Sequence, residues 1–463
     1  MFVNKLKPIK KNFILIFCVI LVKIDNKIMI LEFQIENFGP IKERQTLSFE
    51  ATKDTTLEDY YCVEVSPGIR ILKLGILYGP NASGKTTFIK AFDFLVTKLI
   101  LDRLSFIRSR MYPSQKEDKL DFLPFQFDEK SSLSPSYFQL IFFLGDVRYN
   151  YFLKFNQEFI LEETLQYSPN GRLAEVYSRT TDIEKRVSKI KFGSTIEIEK
   201  NQQIQLEGNT VSNMTVLGAL GRTNVNIQPL NNIRNWFRKF ISASIFPKIN
   251  IDSWTTNRIS EDSDRFDKIY RSEFKKTVVE IIKKADIQIS NVVVKREVEL
   301  RRHKITFQHQ VTDSQGNKTN YHLDYDNESM GTQRYYGLSG ALAIVLSQPT
   351  FLAIDELESS LHPELMKHFI MTFLANSTHS QMLVTTHNLS FLDDPDILRK
   401  DAIWFTEKQN DGATKLYSLS DFDTKTIRKG TSILNAYKIG KFGAIPNLGS
   451  IYLEKSTPEN ESK

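Results

Sequence analysis

The chain has 463 residues, 41% hydrophobic and 25% charged, with a formal net charge of +6. This is the composition of a soluble globular protein with length for two or three domain-sized units, and it excludes a disordered or collagen-like chain. The mild positive charge permits nucleic-acid contact without arguing for it, and two cysteines, Cys18 and Cys62, are too few for a disulfide or zinc framework, so a reducing cytoplasm is expected.

Ten apolar residues, Phe13 to Val22, follow a group of lysines near the start. Ten is the length of a signal-peptide core and too short to span a bilayer. Lys23, Asp25 and Lys27 stand where a small-residue cleavage site would be. Met29 is therefore expected to be the natural start, with residues 1–28 an upstream extension outside the fold. A membrane anchor is the lesser alternative, and no stable membrane association is expected.

Residues 29–51 read as two strands joined by a turn at Gly39–Pro40. The apolar run Ile69 to Tyr78 reads as one buried parallel strand. It leads into Gly79, Pro80, Asn81, Ala82, Ser83, Gly84, Lys85 and Thr86, the pattern G-x-x-x-x-G-K-T, followed by Thr87. Phe88, Ile89, Phe92 and Val96 then recur at helical spacing. Glycines between a strand and a helix let backbone N–H groups surround a phosphate without a Cβ in the way. Lys85 would reach the β- and γ-phosphates, the Thr86 hydroxyl would ligate Mg²⁺, and the positive end of the helix would face the anion. ATP and Mg²⁺ are the expected ligands, with Gly79 through Thr87 as the cradle.

Residues 121–168, rich in alternating aromatics, read as an antiparallel meander. Residues 170–260 are polar and less regular, with a helix expected within 231–246. Over 263–285, Phe266, Ile269, Tyr270, Phe274, Val278, Ile281 and Ile282 mark an amphipathic helix. A β-hairpin is expected over 287–325, and the end of the chain is a polar tail.

Three further stretches carry chemistry. Phe351 to Ile354 form an apolar strand ending in Asp355-Glu356. A carboxylate at a strand's carboxyl end faces the ligand crevice of an α/β sheet. Asp355 would hold Mg²⁺ through water, and Glu356 would orient and polarise the attacking water. A helix-capping acidic loop is the plainer explanation, and the upstream phosphate loop weighs against it. Met382 to Val384 form another strand, with Thr385, Thr386 and His387 at its end. His387 could contact the γ-phosphate or the water; a lone histidine there is more often structural, but its order after Asp355 favours function. Ser329 and Gly331 sit just before a helix marked by Tyr336, Leu338, Leu342 and Val345. Ser-x-Gly there makes a second anion site, although capping alone would explain Ser329.

This order of motifs resembles the ABC-like ATPases that include RecF, the SMC heads and the OLD family, and it is most similar to stand-alone bacterial AAA ATPases of the OLD/RloA type. The residues from Ile30 to Glu43 and from Tyr437 to Leu448 resemble the first strands and the C-terminal segment of that group. The resemblance implies that Lys85 and Thr86 are the Walker A pair, Asp355 the Walker B aspartate and Glu356 the catalytic glutamate. Ser329 and Gly331 would be the signature, reading the γ-phosphate of another subunit. His387 would be the switch histidine, and Glu358 to Pro363 the D-loop. Gln126 and Gln139 both stand as candidates for the Q-loop. "GLSGAL" from Gly337 contains the transporter-like LSG but falls inside the expected helix.

The expected fold class is α/β: a P-loop NTPase with an ABC-ATPase-like head, of mixed core sheet and antiparallel meander, with a helical insertion. The expected parts are an N-terminal lobe 29–168, an insertion 169–290, a C-terminal lobe 291–452 and a tail 453–463. The resemblance implies a homodimer or higher oligomer closed by an ATP sandwich. OLD nucleases add a TOPRIM domain, for which the roughly 75 residues after His387 are too few. The effector is therefore expected to be a separate protein, a nuclease or an RloB-like one, in defence against phage or foreign DNA. A RecF-like DNA-repair ATPase is the alternative, with DNA as a partner through 295–304 or 234–240; a transport subunit ranks below both.

Overall fold

The computed structural model describes residues 28–101, 119–169, 171–240, 244–249, 251–260, 267–285, 288–297, 302–422, 432–446 and 451. Cys18, Phe266 and the 453–463 tail lie outside them. The first strand, β1 (Ile28–Glu36), alternates buried Phe33 and Ile35 with half-buried Glu32, Gln34 and Glu36, as a strand with one face on a core must. The chain turns at Gly39, whose φ of +56° suits glycine, and returns antiparallel as β2 (Gln45–Ser48).

A separate hairpin follows, β3 (Cys62–Ser66) with β4 (Ile69–Leu72), and then β5 (Leu74–Tyr78), buried throughout. The single strand expected from Ile69 to Tyr78 is thus two strands in two sheets, and Lys73 is the break. Its N–H donates to Tyr61 O and its carbonyl accepts from Met382 N. Its ammonium donates to the carbonyls of Leu374 at 2.7 Å and Ser377 at 2.9 Å. A buried lysine needs such partners, and this need fixes where the chain changes sheet.

β6 (Ser136–Leu144), β7 (Val147–Phe155) and β8 (Ile160–Ser168) form the expected meander, which continues through β9 (Ala174–Asp182) and β10 (Val187–Phe192). The result is one antiparallel seven-stranded sheet in the order β10-β9-β8-β7-β6-β1-β2. Irregular chain from residue 170 onward is therefore not what 174–192 adopt. Helix Gln228–Phe240 covers this sheet, stacking Trp236 on Phe142 with ring centroids 4.0 Å apart. Such an aromatic pair adds roughly 0.5–1.5 kcal/mol to the area it buries.

Helix Lys268–Lys284 buries Phe274, Val278, Ile281 and Ile282 as expected, but Ile269 is 72% exposed. Tyr270, also expected in the stripe, is half-buried and stacks on Phe274 four residues on. The expected hairpin gains a third strand: β11 (Ile289–Glu297), β12 (Arg302–Thr312) and β13 (Lys318–Asp324). Helix Met330–Ser347 then packs on helix Ile251–Ile259. A Cβ on Gly340 would lie 2.0 Å from Thr255 Oγ1, and that hydroxyl donates to Gly337 O at 3.0 Å. The small residues of "GLSGAL" serve this close crossing.

The core sheet comes from distant parts of the chain. β14 (Phe351–Ile354), β15 (Gln381–Thr385), β5 and β16 (Ile403–Lys408) lie side by side in that order and run parallel. β17 (Thr414–Ser418) closes one edge antiparallel. At the other edge Ile245 pairs with Ile354, donating to Ala353 O and accepting from Asp355 N, each at 2.8 Å. Helix Lys85–Asp93, which widens into a π-helical turn over Phe94–Ile100, lies between the two large sheets. Its Phe92 ring is 4.5 Å from Phe351 of β14 and 5.3 Å from Phe33 of β1. Among the described residues no helix is long and apolar enough to cross a membrane.

Candidate functional site at the strand ends of the core sheet

β5 ends at Tyr78, and the chain turns through Gly79 (φ +155°), Ala82 (φ +60°) and Gly84 (φ +101°) into the helix at Lys85. Two threonines from the β16–β17 hairpin brace this loop from behind. Thr406 Oγ1 and Ser83 Oγ share a hydrogen bond of 2.6 Å, and Thr414 Oγ1 donates to Ser83 O at 2.9 Å. A Cβ on Gly79 would lie 2.4 Å from Thr406 Oγ1, and one on Gly84 2.3 Å from Thr414 Oγ1. The glycines are required by the brace as well as by their dihedrals.

Lys85 is buried, and Nζ donates to Gly79 O at 2.7 Å and Pro80 O at 3.0 Å. Burial pulls its pKa down to about 8, against the opposing pull of Glu358, Asp355 and Glu356. Asn81 and Ala82 are exposed at the mouth, and Thr87 Cγ2 would be 3.4 Å from a Cβ on Gly39, at the β1–β2 turn.

The Thr86 hydroxyl donates to both carboxylate oxygens of Asp355 at 3.0 Å. Asp355 stands at the end of β14, buried, and Oδ1 also accepts from Thr385 Oγ1 at 2.7 Å. Glu356 follows in a left-handed conformation (φ +49°) and is exposed, with its N–H donating to Thr385 Oγ1 at 2.8 Å. His387 stands at the surface of the cleft, its N–H donating to Glu358 Oε1 at 2.6 Å. Partial burial lowers the His387 pKa and Lys85 lowers it further, against the opposing pull of Glu358, Glu356 and Asp355. Glu358 Oε2 is enclosed without a hydrogen-bond partner.

Lys85, Thr86, Asp355, Glu356 and His387 thus come together at the carboxyl ends of three neighbouring strands. Ser329 and Gly331 do not join them directly. Ser329 is the cap of helix Met330–Ser347: its Oγ accepts from Thr332 N at 3.1 Å. Gly331 lies inside the first turn rather than before it, and a Cβ there would be 3.1 Å from Ser360 O. Gln139 is in mid-strand on β6, bonded to Asn150. Gln126 is exposed, and its amide donates to Pro124 O at 3.0 Å.

The residues present fit ATP and Mg²⁺. Among the described residues, the hydrogen-bond partners of the Lys85 ammonium are the backbone carbonyls of Gly79 and Pro80. A hydroxyl and a carboxylate, hard oxygen donors, already meet where a small divalent cation bridging to phosphates would be held. Thr406 and Thr414 were not expected in the site, while Thr385 was noted only at the strand end before His387 and Glu358 only as the start of the implied D-loop. No spacing signals a threonine that acts across a sheet.

A phosphate loop after the central strand, with the acidic pair two strands away, defines an α/β P-loop NTPase with an ABC-like head. The chain belongs to the family described as "AAA domain, putative AbiEii toxin, Type IV TA system", whose model matches residues 76–393. No curated protein matches it. Among solved structures it is similar to an SMC head bound to the C-winged helix domain of ScpA, at 13% identity and TM-score 0.45, over 84% of this chain and 97% of that one. It is similar also to the SMC head domain from Thermotoga maritima, at 13% identity and TM-score 0.38, over 84% and 98%. A third is the Pyrococcus furiosus Smc head with an extended coiled coil, bound to the C-terminal domain of ScpA, at 12% identity and TM-score 0.40, over 89% and 98%. Likeness this distant carries no argument about function.

Proposed function

We propose that the chain binds and hydrolyses ATP and works as a nucleotide-driven dimeric switch of the OLD/RloA-like type. The observation that carries this is the meeting of the Thr86 hydroxyl with the Asp355 carboxylate, 269 residues apart in sequence, beside a phosphate loop. Gly79 through Thr87 would cradle the phosphates, Lys85 would pair with them, and Thr86 with Asp355 would hold Mg²⁺. Bound Mg²⁺ would neutralise charge developing on the phosphate oxygens. Glu356, exposed at the rim, would orient water and take up its proton, and His387 could contact the γ-phosphate or the water beside it.

Ser329 and Gly331, at the start of an 18-residue helix, would complete the site of a second copy. The resemblance favours a separate effector protein and a defence role, and the family's description of a putative toxin in a Type IV TA system is in line with the defence role alone. A DNA-repair role gains less support. Lys304 is paired with Asp324 and Arg302 with Glu297, while Trp236 and Phe237 are core residues.

The test is mixing. Lys85→Ala and Ser329→Arg proteins, each inactive alone, should together recover one working site per heterodimer and show ATPase activity that rises with protein concentration. No recovery on mixing, in a protein that stays monomeric with ATP, contradicts the dimeric switch. The same preparation should cut neither DNA nor RNA; cutting abolished by mutating one of its own carboxylates would place the effector in this chain.

A further inference from the structure

We propose that the Thr385 hydroxyl is a positioning group that sets both acidic residues of the site at once. This deepens the ATPase reading and depends on it for its catalytic consequence. Thr385 is fully buried at the end of β15, the strand between β14 and β5. Its hydroxyl donates to Asp355 Oδ1 at 2.7 Å and accepts the N–H of Glu356 at 2.8 Å. Its carbonyl accepts the N–H of Leu357 at 3.1 Å. Three consecutive residues are therefore pinned to one.

Each bond has a separate consequence. Glu356 is held at φ +49°, a left-handed conformation that is unfavourable for a non-glycine residue. The bond to Thr385 satisfies the N–H in that conformation, and the conformation decides which way the Glu356 side chain leaves the strand. Asp355 is shared between two hydroxyls, Thr86 and Thr385. The Thr86 hydroxyl can ligate a cation through a lone pair and still donate its proton to Asp355, while Thr385 holds the same carboxylate from the neighbouring strand. A hydroxyl has one proton and two lone pairs, so a single threonine can give to Asp355 and receive from Glu356 simultaneously. Valine has the same shape and can do neither.

The experiment uses the full chain and its Thr385→Val, Thr385→Ala and Thr385→Ser variants. A fluorescent methylanthraniloyl-ATP is titrated with and without Mg²⁺, and steady-state ATPase is measured alongside. Removing a group that orients a metal-holding carboxylate typically costs 10–100-fold in affinity or activity, so Thr385→Val should raise the Mg²⁺ needed for half-saturation about tenfold and lower kcat at least about tenfold. Affinity without Mg²⁺ should stay within about twofold, since the cradle is untouched, and Thr385→Ser should restore both quantities. Thr385→Ala, smaller and free of any clash, carries the same expectation should the valine variant fold poorly. A valine or alanine variant with wild-type Mg²⁺ dependence overturns the inference, as does a serine variant as impaired as valine. Should the wild type show no turnover above a Lys85→Ala control, the ATPase reading falls, while the Mg²⁺ titration still decides the role of Thr385.

Discussion

Beside His387, a single carboxylate oxygen does the holding: Glu358 Oε1 takes its N–H at 2.6 Å, while Oε2 is enclosed and without a partner. Glu358 lies two residues beyond the residue read as catalytic, and its charge opposes the burial-driven fall in pKa of both Lys85 and His387. Glu358→Ala removes the acceptor and should lower kcat about tenfold with KM little changed, whereas Glu358→Gln, whose amide oxygen still accepts, should keep most of the rate. Steady-state kinetics of the two variants decides this; wild-type turnover in Glu358→Ala contradicts it. The residues that sequence made legible are those whose chemistry demands a fixed spacing, Gly79 to Thr86 and Asp355-Glu356. Thr385, Thr406 and Thr414 brace them from strands up to 331 residues away, and a threonine in a strand looks the same whether or not its hydroxyl is used.

Elements were legible where one face meets a core and illegible where partner strands decide. β1 and the meander announce themselves by alternation, while β9 and β10 carry few large apolar residues and become strands by pairing with β8 and with each other. The run Ile69 to Tyr78 hid a junction because eight of its ten residues are apolar or glycine and only Arg70 and Lys73 interrupt it. Lys73 gives the junction a measurable signature. Burial lowers its pKa from 10.5 to about 8 in the folded chain. The folded state therefore releases this proton first, and between about pH 8 and 10 the unfolded chain binds more protons, so stability rises with pH there. Comparing wild type with Lys73→Met isolates the effect. The difference in unfolding free energy should move in favour of the wild type as pH rises through that window, by no more than about 1.4 kcal/mol per unit. A pH-independent difference, read from urea melts, contradicts the lowering of the Lys73 pKa by burial.

For the whole molecule, the parts are less separable than a lobe–insertion–lobe division suggests. Ile245, within the stretch expected to be an insertion, pairs with β14 and accepts the N–H of Asp355. Thr215, also within it, donates to Leu99 O at the end of the π-helical turn that continues the phosphate-loop helix. Chain that looks like a separate module therefore touches the backbone of Asp355 and the far end of the helix that starts at Lys85.

The claim on which all of this turns is that the cleft at the ends of β5, β14 and β15 holds and hydrolyses ATP. Retention and turnover of radiolabelled ATP by the wild type, Lys85→Ala and Glu356→Gln test it directly. The wild type should bind and turn over ATP, Lys85→Ala should retain none, and Glu356→Gln should retain ATP with turnover reduced about a hundredfold or more, because cradle and metal ligands survive while the water loses its polariser. Turnover by Lys85→Ala equal to the wild type, or full hydrolysis by Glu356→Gln, would contradict the account.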